Sequence, residues 1–311
     1  MRVYRSLQDL PEEERTVTAL GNFDGVHLGH RRILQTAREK ADELGCLAAC
    51  YTFSNHPRRL FKDLGVIDET VGYINSDEEK LYLLEQAGMD IVFNVEFSPE
   101  VMNLSPENFV ERVICGSLHA LGVSCGNNYR FGTKASGTPE LLTKLGGKYG
   151  FEAYVHDDVK IEGETISSTL IRRAIEVGDM ERAQLFLGRP YRVAGRVIQG
   201  NHIGTKIGIP TANIPIDPSR VAPPNGVYFT LTKVDGEVIP SVTNIGVKPT
   251  VGNYDKVIET HLLGRKYDLY GKELTVEFLH YRRPEHRFGS LEELRSVMNQ
   301  DVAAAGEYHG I

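Results

Sequence analysis

Two kinds of apolar pattern alternate through the first half of the chain. Residues 16–20 (Thr-Val-Thr-Ala-Leu) and 47–53 (Leu-Ala-Ala-Cys-Tyr-Thr-Phe) are near-continuous apolar runs of strand length, and residues 90–95 and 121–125 repeat the type. Between them the period lengthens. Ile33, Leu34, Ala37, Ala41 and Leu44 fall at helical spacing over residues 31–44, as do Leu81, Leu83, Leu84 and Ala87 over 76–88. Residues 106–115 read as a further helix, with Ser105 as N-cap and Pro106 at the first helical position. Strand and helix alternating over about 180 residues predict a parallel, doubly wound α/β sheet of the Rossmann-like kind. Ligands of such sheets sit beyond the carboxyl ends of the strands, where the strand order switches.

The pattern changes after a helical stretch at 180–187. Gly188-Arg189-Pro190 marks a boundary, predicting domains 1–187 and 188–311. Residues 191–197, 227–234, 257–263 and 274–279 are short β-like runs separated by Gly, Pro, Asn and Asp. Helical signal returns at 290 to about 305, where Ser290 caps and Leu291, Leu294, Val297 and Met298 form a stripe. Short strands with one closing helix predict a small closed β-barrel ending in a C-terminal helix.

Composition narrows the class. The 311 residues are 41% hydrophobic and 25% charged, as in ordinary globular proteins, and the net charge of −7 gives no reason to expect nucleic acid or membrane as a partner. No apolar run approaches the ~20 residues needed to span a bilayer. The N-terminus runs into acidic residues 12–14 and does not read as a signal peptide. The four cysteines (Cys46, Cys50, Cys115, Cys125) form neither a Cys-x-x-Cys pair nor a zinc cluster with histidine, so reduced thiols in a cytoplasmic protein are expected.

Candidate chemistry starts at residues 21–30, Gly-Asn-Phe-Asp-Gly-Val-His-Leu-Gly-His. This decapeptide joins the first buried strand to the first helix. Its three glycines allow a tight turn and close backbone approach to a ligand. His27 and His30, three apart, share one face of the first helical turn, and free N–H groups there suit a polyphosphate. Two more stretches belong at the same edge: residues 126–132 (Gly-Asn-Asn-Tyr-Arg-Phe-Gly), and residues 166–173 (Ile-Ser-Ser-Thr-Leu-Ile-Arg-Arg), with three hydroxyls at a helix N-terminus. Pro57 pushes His56 toward an extended conformation.

The decapeptide resembles the His-x-Gly-His signature of the nucleotidyltransferase superfamily. Its full length resembles the adenylyltransferase half of the bacterial bifunctional riboflavin kinase/FAD synthetase family. The resemblance implies adenylylation of FMN to FAD, with His27 and His30 in the catalytic site. It also implies that Gly21, Asn22, Phe23, Asp24, Asn128, Arg130, Ser167, Ser168, Thr169 and Arg172 bind ATP or its phosphates, and that His56 lies near nucleotide and flavin. The FMN phosphate is already ionised, so the reaction needs alignment and charge stabilisation rather than a strong base. Asp24 is accordingly expected to brace the turn.

In the second half, residues 200–213 (Gly-Asn-His-Ile-Gly-Thr-Lys-Ile-Gly-Ile-Pro-Thr-Ala-Asn) form a glycine-rich loop without the Gly-Lys-Ser/Thr of a Walker loop. This stretch resembles the flap and Pro-Thr-Ala-Asn motif of riboflavin kinases. The resemblance implies that Thr211 and Asn213 hold Mg²⁺, that Gly204, Lys206, Gly208, Pro210, Asn225, Tyr270 and Arg283 bind ATP or flavin, and that Glu259 is the general base. Lys206 stands where the family usually has Arg, Gly264-Arg265-Lys266 where it is usually acidic, and Pro284 where it usually has Asp. The whole reading is a cytoplasmic bifunctional enzyme acting on riboflavin, FMN and ATP with Mg²⁺. The departures leave open an adenylyltransferase whose barrel only binds flavin.

Overall fold

Six parallel strands build the first sheet. They are β1 (Arg2–Tyr4), β2 (Thr16–Leu20), β3 (Leu47–Phe53), β4 (Ile91–Val95), β5 (Ala120–Gly126) and β6 (Glu152–His156), in the order β1-β4-β3-β2-β5-β6. Both faces are covered, which explains the near-continuous apolar runs. Val17, Ala19, Cys50 and Val92 pack on one face with Leu34, Ala37 and Ala41 of α1 (Leu28–Leu44). Leu20, Ala49, Tyr51, Ile91 and Phe93 pack on the other with Phe109, Val113, Ile114 and Leu142. Chain order reverses between β2 and β5, so this doubly wound sheet has its switch point where the decapeptide leaves β2.

This computed structural model describes all residues except 8–10, 12, 69–70, 201–203, 205–206, 248–255 and 265–268. Its contacts divide it into Met1–Ser168 and Thr169–Ile311. Among the described residues no helix is long and apolar enough to cross a membrane.

The helix expected at 106–115 is α-helical only over Pro106–Asn108. It widens to a π-helix over Phe109–Cys115, where the Gly116 N–H donates to the carbonyl of Glu111, five residues back. Leu44, expected on the buried stripe of α1, is 49% exposed. All four cysteines are free; Cys50 and Cys125 are buried, and Cys46 and Cys115 partly so.

In the second unit two short helices, Ser168–Val177 and Met180–Leu187, precede an antiparallel sheet. Its strands are β7 (Tyr191–Arg196), β8 (Ala212–Pro215), β9 (Gly226–Val234), β10 (Glu237–Val247), β11 (Lys256–Leu262) and β12 (Glu273–Pro284). The order is β8-β11-β10-β9-β12-β7. A bridge between Ile198 and Asn213 brings the two edges together, giving a nearly closed six-stranded barrel. The interior is partly polar: Thr230, Thr232, Ser241, Thr243 and Thr260 hydrogen-bond one another at 2.7–3.3 Å. The C-terminal helix, Leu291–His309, puts Val302, Ala304 and Ala305 against Val227, Phe229, Val242 and Leu263. Leu291, expected in its buried stripe, is 55% exposed, because the helix meets the barrel by its C-terminal half.

Candidate active sites

The turn after β2 is held from below. His27 is the N-cap of α1: its Nδ1 accepts from the His30 N–H at 3.3 Å, and the two imidazoles stack at 3.6 Å between centroids. Phe23 (φ 50°) and Val26 (φ 39°) join Gly25 (φ 87°) in the left-handed region. At the two non-glycine residues this costs about 1–3 kcal/mol each, so the surroundings must hold the turn in place. Three contacts do so. Thr52 donates to the carbonyl of Asn22 (3.0 Å), Ser168 donates to the carbonyl of Asp24 (2.8 Å), and Asp24 Oδ1 accepts from the N–H groups of Ile74 (2.9 Å) and Asn75 (3.4 Å). Asp24 is 5% exposed and braces the turn as expected.

Above the turn opens a cavity of about 890 Å³. Gly21, Asn22 and His30 line it from the decapeptide, and Asn128 and Arg130 line it from the loop after β5. The strand switch thus unites two stretches 98 residues or more apart, the difference between positions 30 and 128. Five phenylalanines, Phe53, Phe61, Phe97, Phe109 and Phe131, contribute to the rest of the wall, among aliphatic and polar residues. His27, Phe23 and Asp24 lie beneath, all buried. His56 caps the short helix Pro57–Asp63 in an extended conformation and accepts from the Arg58 N–H at 3.2 Å. Ser167 is half-buried; Thr169 and Arg172 fall in the second unit, Thr169 exposed and Arg172 buried.

Lys80 lies close by, 8% exposed, with Nζ donating to the carbonyl of Phe53 at 2.5 Å and 3.2 Å from Asp77. Burial pulls its ammonium below the usual lysine range, against the pull of Asp77. Burial pushes the Cys125 thiol up to about 12 and the Cys50 thiol up as well, so neither is a nucleophile.

The second cavity, about 220 Å³, is in the barrel unit. Gly204, Thr211, Glu259 and Arg283 line it. Glu259 of β11 stands directly opposite Asn213 of β8 on one side and Asn244 of β10 on the other. Directly opposed residues share a face, with Cβ atoms about 5 Å apart. The glycines upstream let the loop press onto this patch: a Cβ on Gly204 would meet the Ile209 carbonyl at 2.3 Å and Thr211 Oγ1 at 3.5 Å, and one on Gly200 would meet the Asn213 amide at 2.4 Å. Gly208 takes φ 85°. Pro210 lends its carbonyl to His261 Nδ1 at 2.7 Å.

Arg283 is gripped by Asp301 of the C-terminal helix through two hydrogen bonds (Nε–Oδ1 3.1 Å, Nη2–Oδ2 2.5 Å). Asn225 donates to Glu285 at 3.0 Å, and Glu285 lines the cavity. Tyr270 is 56% exposed and is not part of the cavity wall. Lys206, Arg265 and Lys266 lie outside the described residues. Sequence reasoning assigned no role to His261, Asp301, Glu285 or Phe288, all of which line the cavity. His261 was within reach, because it shares the strand face of Glu259 at i+2.

Comparisons with known proteins match both parts of the chain. The family model described as FAD synthetase matches residues 9–170, and that described as riboflavin kinase matches residues 187–309. The bifunctional riboflavin kinase/FMN adenylyltransferase of Pseudomonas fluorescens is 38% identical, over 98% of this chain and 97% of its own. That of Escherichia coli K12 is 34% identical over 100% and 99%, and that of Bacillus subtilis 35% over 96% and 93%. A solved structure from Streptococcus pneumoniae, described as a macrolide-efflux protein, superposes with a TM-score of 0.86 at 25% identity over 97% of both chains.

Proposed function

Starting from the fact that the chain belongs to the bifunctional riboflavin kinase/FMN adenylyltransferase family, we propose which residues carry each of its two reactions. The enzyme phosphorylates riboflavin to FMN with ATP and adenylylates FMN to FAD with release of pyrophosphate. The observation that carries the assignment is that Gly21, Asn22, His30, Asn128 and Arg130 line one cavity, and Gly204, Thr211, Glu259 and Arg283 line the other.

In the adenylyl transfer an FMN phosphate oxygen attacks the α-phosphorus of ATP, and the bond to the bridging oxygen breaks as pyrophosphate leaves. His30, facing the cavity at the start of α1, and His27 stacked beneath it stabilise the charge that develops. Backbone groups of Gly21 and Asn22, with Asn128 and Arg130 across the switch point, position the phosphates. Phe23 and Asp24 hold the turn in shape. The assignment of Ser167, Ser168, Thr169 and Arg172 to ATP phosphates rests on their order after His-x-Gly-His in the sequence. The phenylalanines of the cavity wall suit an isoalloxazine ring.

In the kinase reaction Glu259 accepts the proton of the ribityl 5′-hydroxyl as that oxygen attacks the γ-phosphorus and ADP leaves. Gly204, Gly208 and Pro210 bind ATP on the segment that resembles the kinase flap; the same role for Lys206, outside the described residues, rests on the sequence resemblance alone. Asn225, Tyr270 and Arg283 serve ATP or flavin, two of them oriented by Glu285 and Asp301. The donor set at Thr211 and Asn213 fits Mg²⁺: neutral side-chain oxygens beside a carboxylate, with phosphates and water left to fill the shell. Bound there, Mg²⁺ would neutralise phosphate charge. The two functional domains are taken as 1–187 and 188–311; the riboflavin kinase match, beginning at 187, supports this. The enzyme works in the cytoplasm, a reading its four free cysteines support, without nucleic-acid or membrane partners, for which the net charge of −7 gives no reason.

Incubation with riboflavin and ATP-Mg²⁺ tests the reading. FMN followed by FAD is expected. FAD formed from supplied FMN, with riboflavin left unphosphorylated, would reduce the barrel to a binding module.

A further inference from the structure

His261 sits two residues beyond Glu259 on β11, on the same face of the strand, and both line the barrel cavity. Its Nδ1 lies 2.7 Å from the carbonyl oxygen of Pro210. A carbonyl only accepts, so Nδ1 carries the proton and the tautomer is fixed. Pro210 is the residue immediately before Thr211, which faces the same cavity. Just before it, the Ile209 N–H donates to the Gly204 carbonyl at 2.8 Å. Regular pairing of β8 with β11 starts only at Ala212, opposite Thr260. Pro210 and Thr211 therefore lie outside the paired register. The imidazole's hydrogen bond ties the strand of Glu259 to the Pro210 carbonyl.

We propose that His261 is a positioning residue for riboflavin phosphorylation. Its Nδ1–H strap to Pro210 sets Thr211 at a fixed distance from Glu259. The idea rests on the assignment of Glu259 and Thr211 to the kinase reaction. Without the strap the Thr211 hydroxyl moves relative to the base, and misplacement on the ångström scale costs turnover rather than binding.

The test compares three variants of the full chain, using FMN-to-FAD conversion as an internal control. An Asn side chain can place an amide N–H near the position of imidazole Nδ1; Gln reaches instead toward Nε2. His261→Asn should keep riboflavin kcat within about threefold of wild type. His261→Ala and His261→Gln should lose about tenfold or more in kcat, with riboflavin KM changed by less than about threefold and FAD formation from FMN unchanged. Kinase turnover of His261→Ala near wild type would overturn the proposal, as would Gln rescuing better than Asn. A Thr211→Ala, His261→Ala double variant separates the two layers of the argument. Losses smaller than the product of the single effects are expected if His261 acts through Thr211, and independent multiplication contradicts that coupling. Thr211→Ala with full kinase activity refutes instead the assignment of Thr211.

Discussion

Asn213 and Glu259 stand directly opposite one another across the antiparallel pair β8–β11, and Asn213 also bridges to Ile198 where the barrel closes. The proposed metal ligand and the proposed base are therefore fixed by barrel register rather than by a loop. A one-residue slip of either strand would turn its residue to the other face. Removing the base should cost the kinase reaction about 10²–10⁴-fold. Glu259→Gln should show this loss in kcat for riboflavin, with thermal stability close to wild type, since Glu259 is only half-buried. Steady-state kinetics with saturating ATP measure it; a loss under threefold would remove Glu259 from the base role.

Gly204 carries a second prediction. Its Cβ position lies 2.3 Å from the Ile209 carbonyl, so Gly204→Ala must displace the segment that leads to Thr211. Kinase kcat/KM for ATP should fall at least tenfold, a penalty of about 1.4 kcal/mol or more. FAD formation from FMN should stay unchanged.

Asp24 separates a brace from a base. Asp24→Asn keeps an oxygen for the Ile74 N–H and should retain adenylylation within about tenfold. Asp24→Ala leaves buried N–H groups unpaired and should lower folding stability by about 1–3 kcal/mol. Chemical denaturation and FMN-to-FAD assays on both variants decide the matter. Equal, complete loss of turnover in two folded variants would instead make Asp24 a chemical participant.

Arg283 and Asp301 make a stability prediction. Asp301 is 6% exposed, and its loss strands the guanidinium. Asp301→Ala should destabilise the barrel unit by about 1.5–3 kcal/mol, read by denaturant titration. It should also loosen the C-terminal helix, read as faster hydrogen exchange.

His156 gives a pH dependence. Burial, helped by Arg32 and opposed by Asp157, holds its pKa below the ordinary histidine value. The unfolded chain therefore binds the proton more readily than the folded one. Stability is full above the ordinary histidine pKa, falls as pH drops from there toward the depressed folded value, and levels off below it. His156 Nε2 lies 3.0 Å from Ser124 Oγ, which itself donates to the Ile33 carbonyl. His156→Gln keeps a donor for Ser124 without a titrating group and should flatten this part of the stability curve.

Much of this was legible in the chain. The central buried strands of the first sheet, the Ser105 N-cap and the site turn followed from continuous apolar runs and cap chemistry, while the helix Pro139–Tyr149 was not anticipated. What escaped did so for identifiable reasons. Arg2–Tyr4 is three residues long, and Glu152–His156 is a half-exposed edge strand. The strand Glu237–Val247 turns Ser241 and Thr243 into the barrel, where hydroxyls bond to hydroxyls, so no apolar alternation announces it. Ala212–Pro215 was read only as part of a motif. Of the proposed residues, Gly21, Asn22, His30, Asn128, Arg130, Gly204, Thr211, Glu259 and Arg283 meet at the two cavities. The phenylalanines of the first cavity and Asp301 came only from the fold, because nothing in their local sequence separates them from core or surface residues; His261 was in reach through its i+2 spacing from Glu259.

Two independent catalytic centres on one chain are the central claim, and a pair of single variants tests it most directly. Purified Glu259→Ala and His30→Ala proteins are each supplied with ATP-Mg²⁺ and either riboflavin or FMN, and the flavins are separated and quantified. Glu259→Ala should leave riboflavin untouched yet convert FMN to FAD at the wild-type rate. His30→Ala should make FMN from riboflavin normally and stop there, with FAD formation down by about 10²-fold or more. Loss of both activities in either folded variant would contradict separate sites.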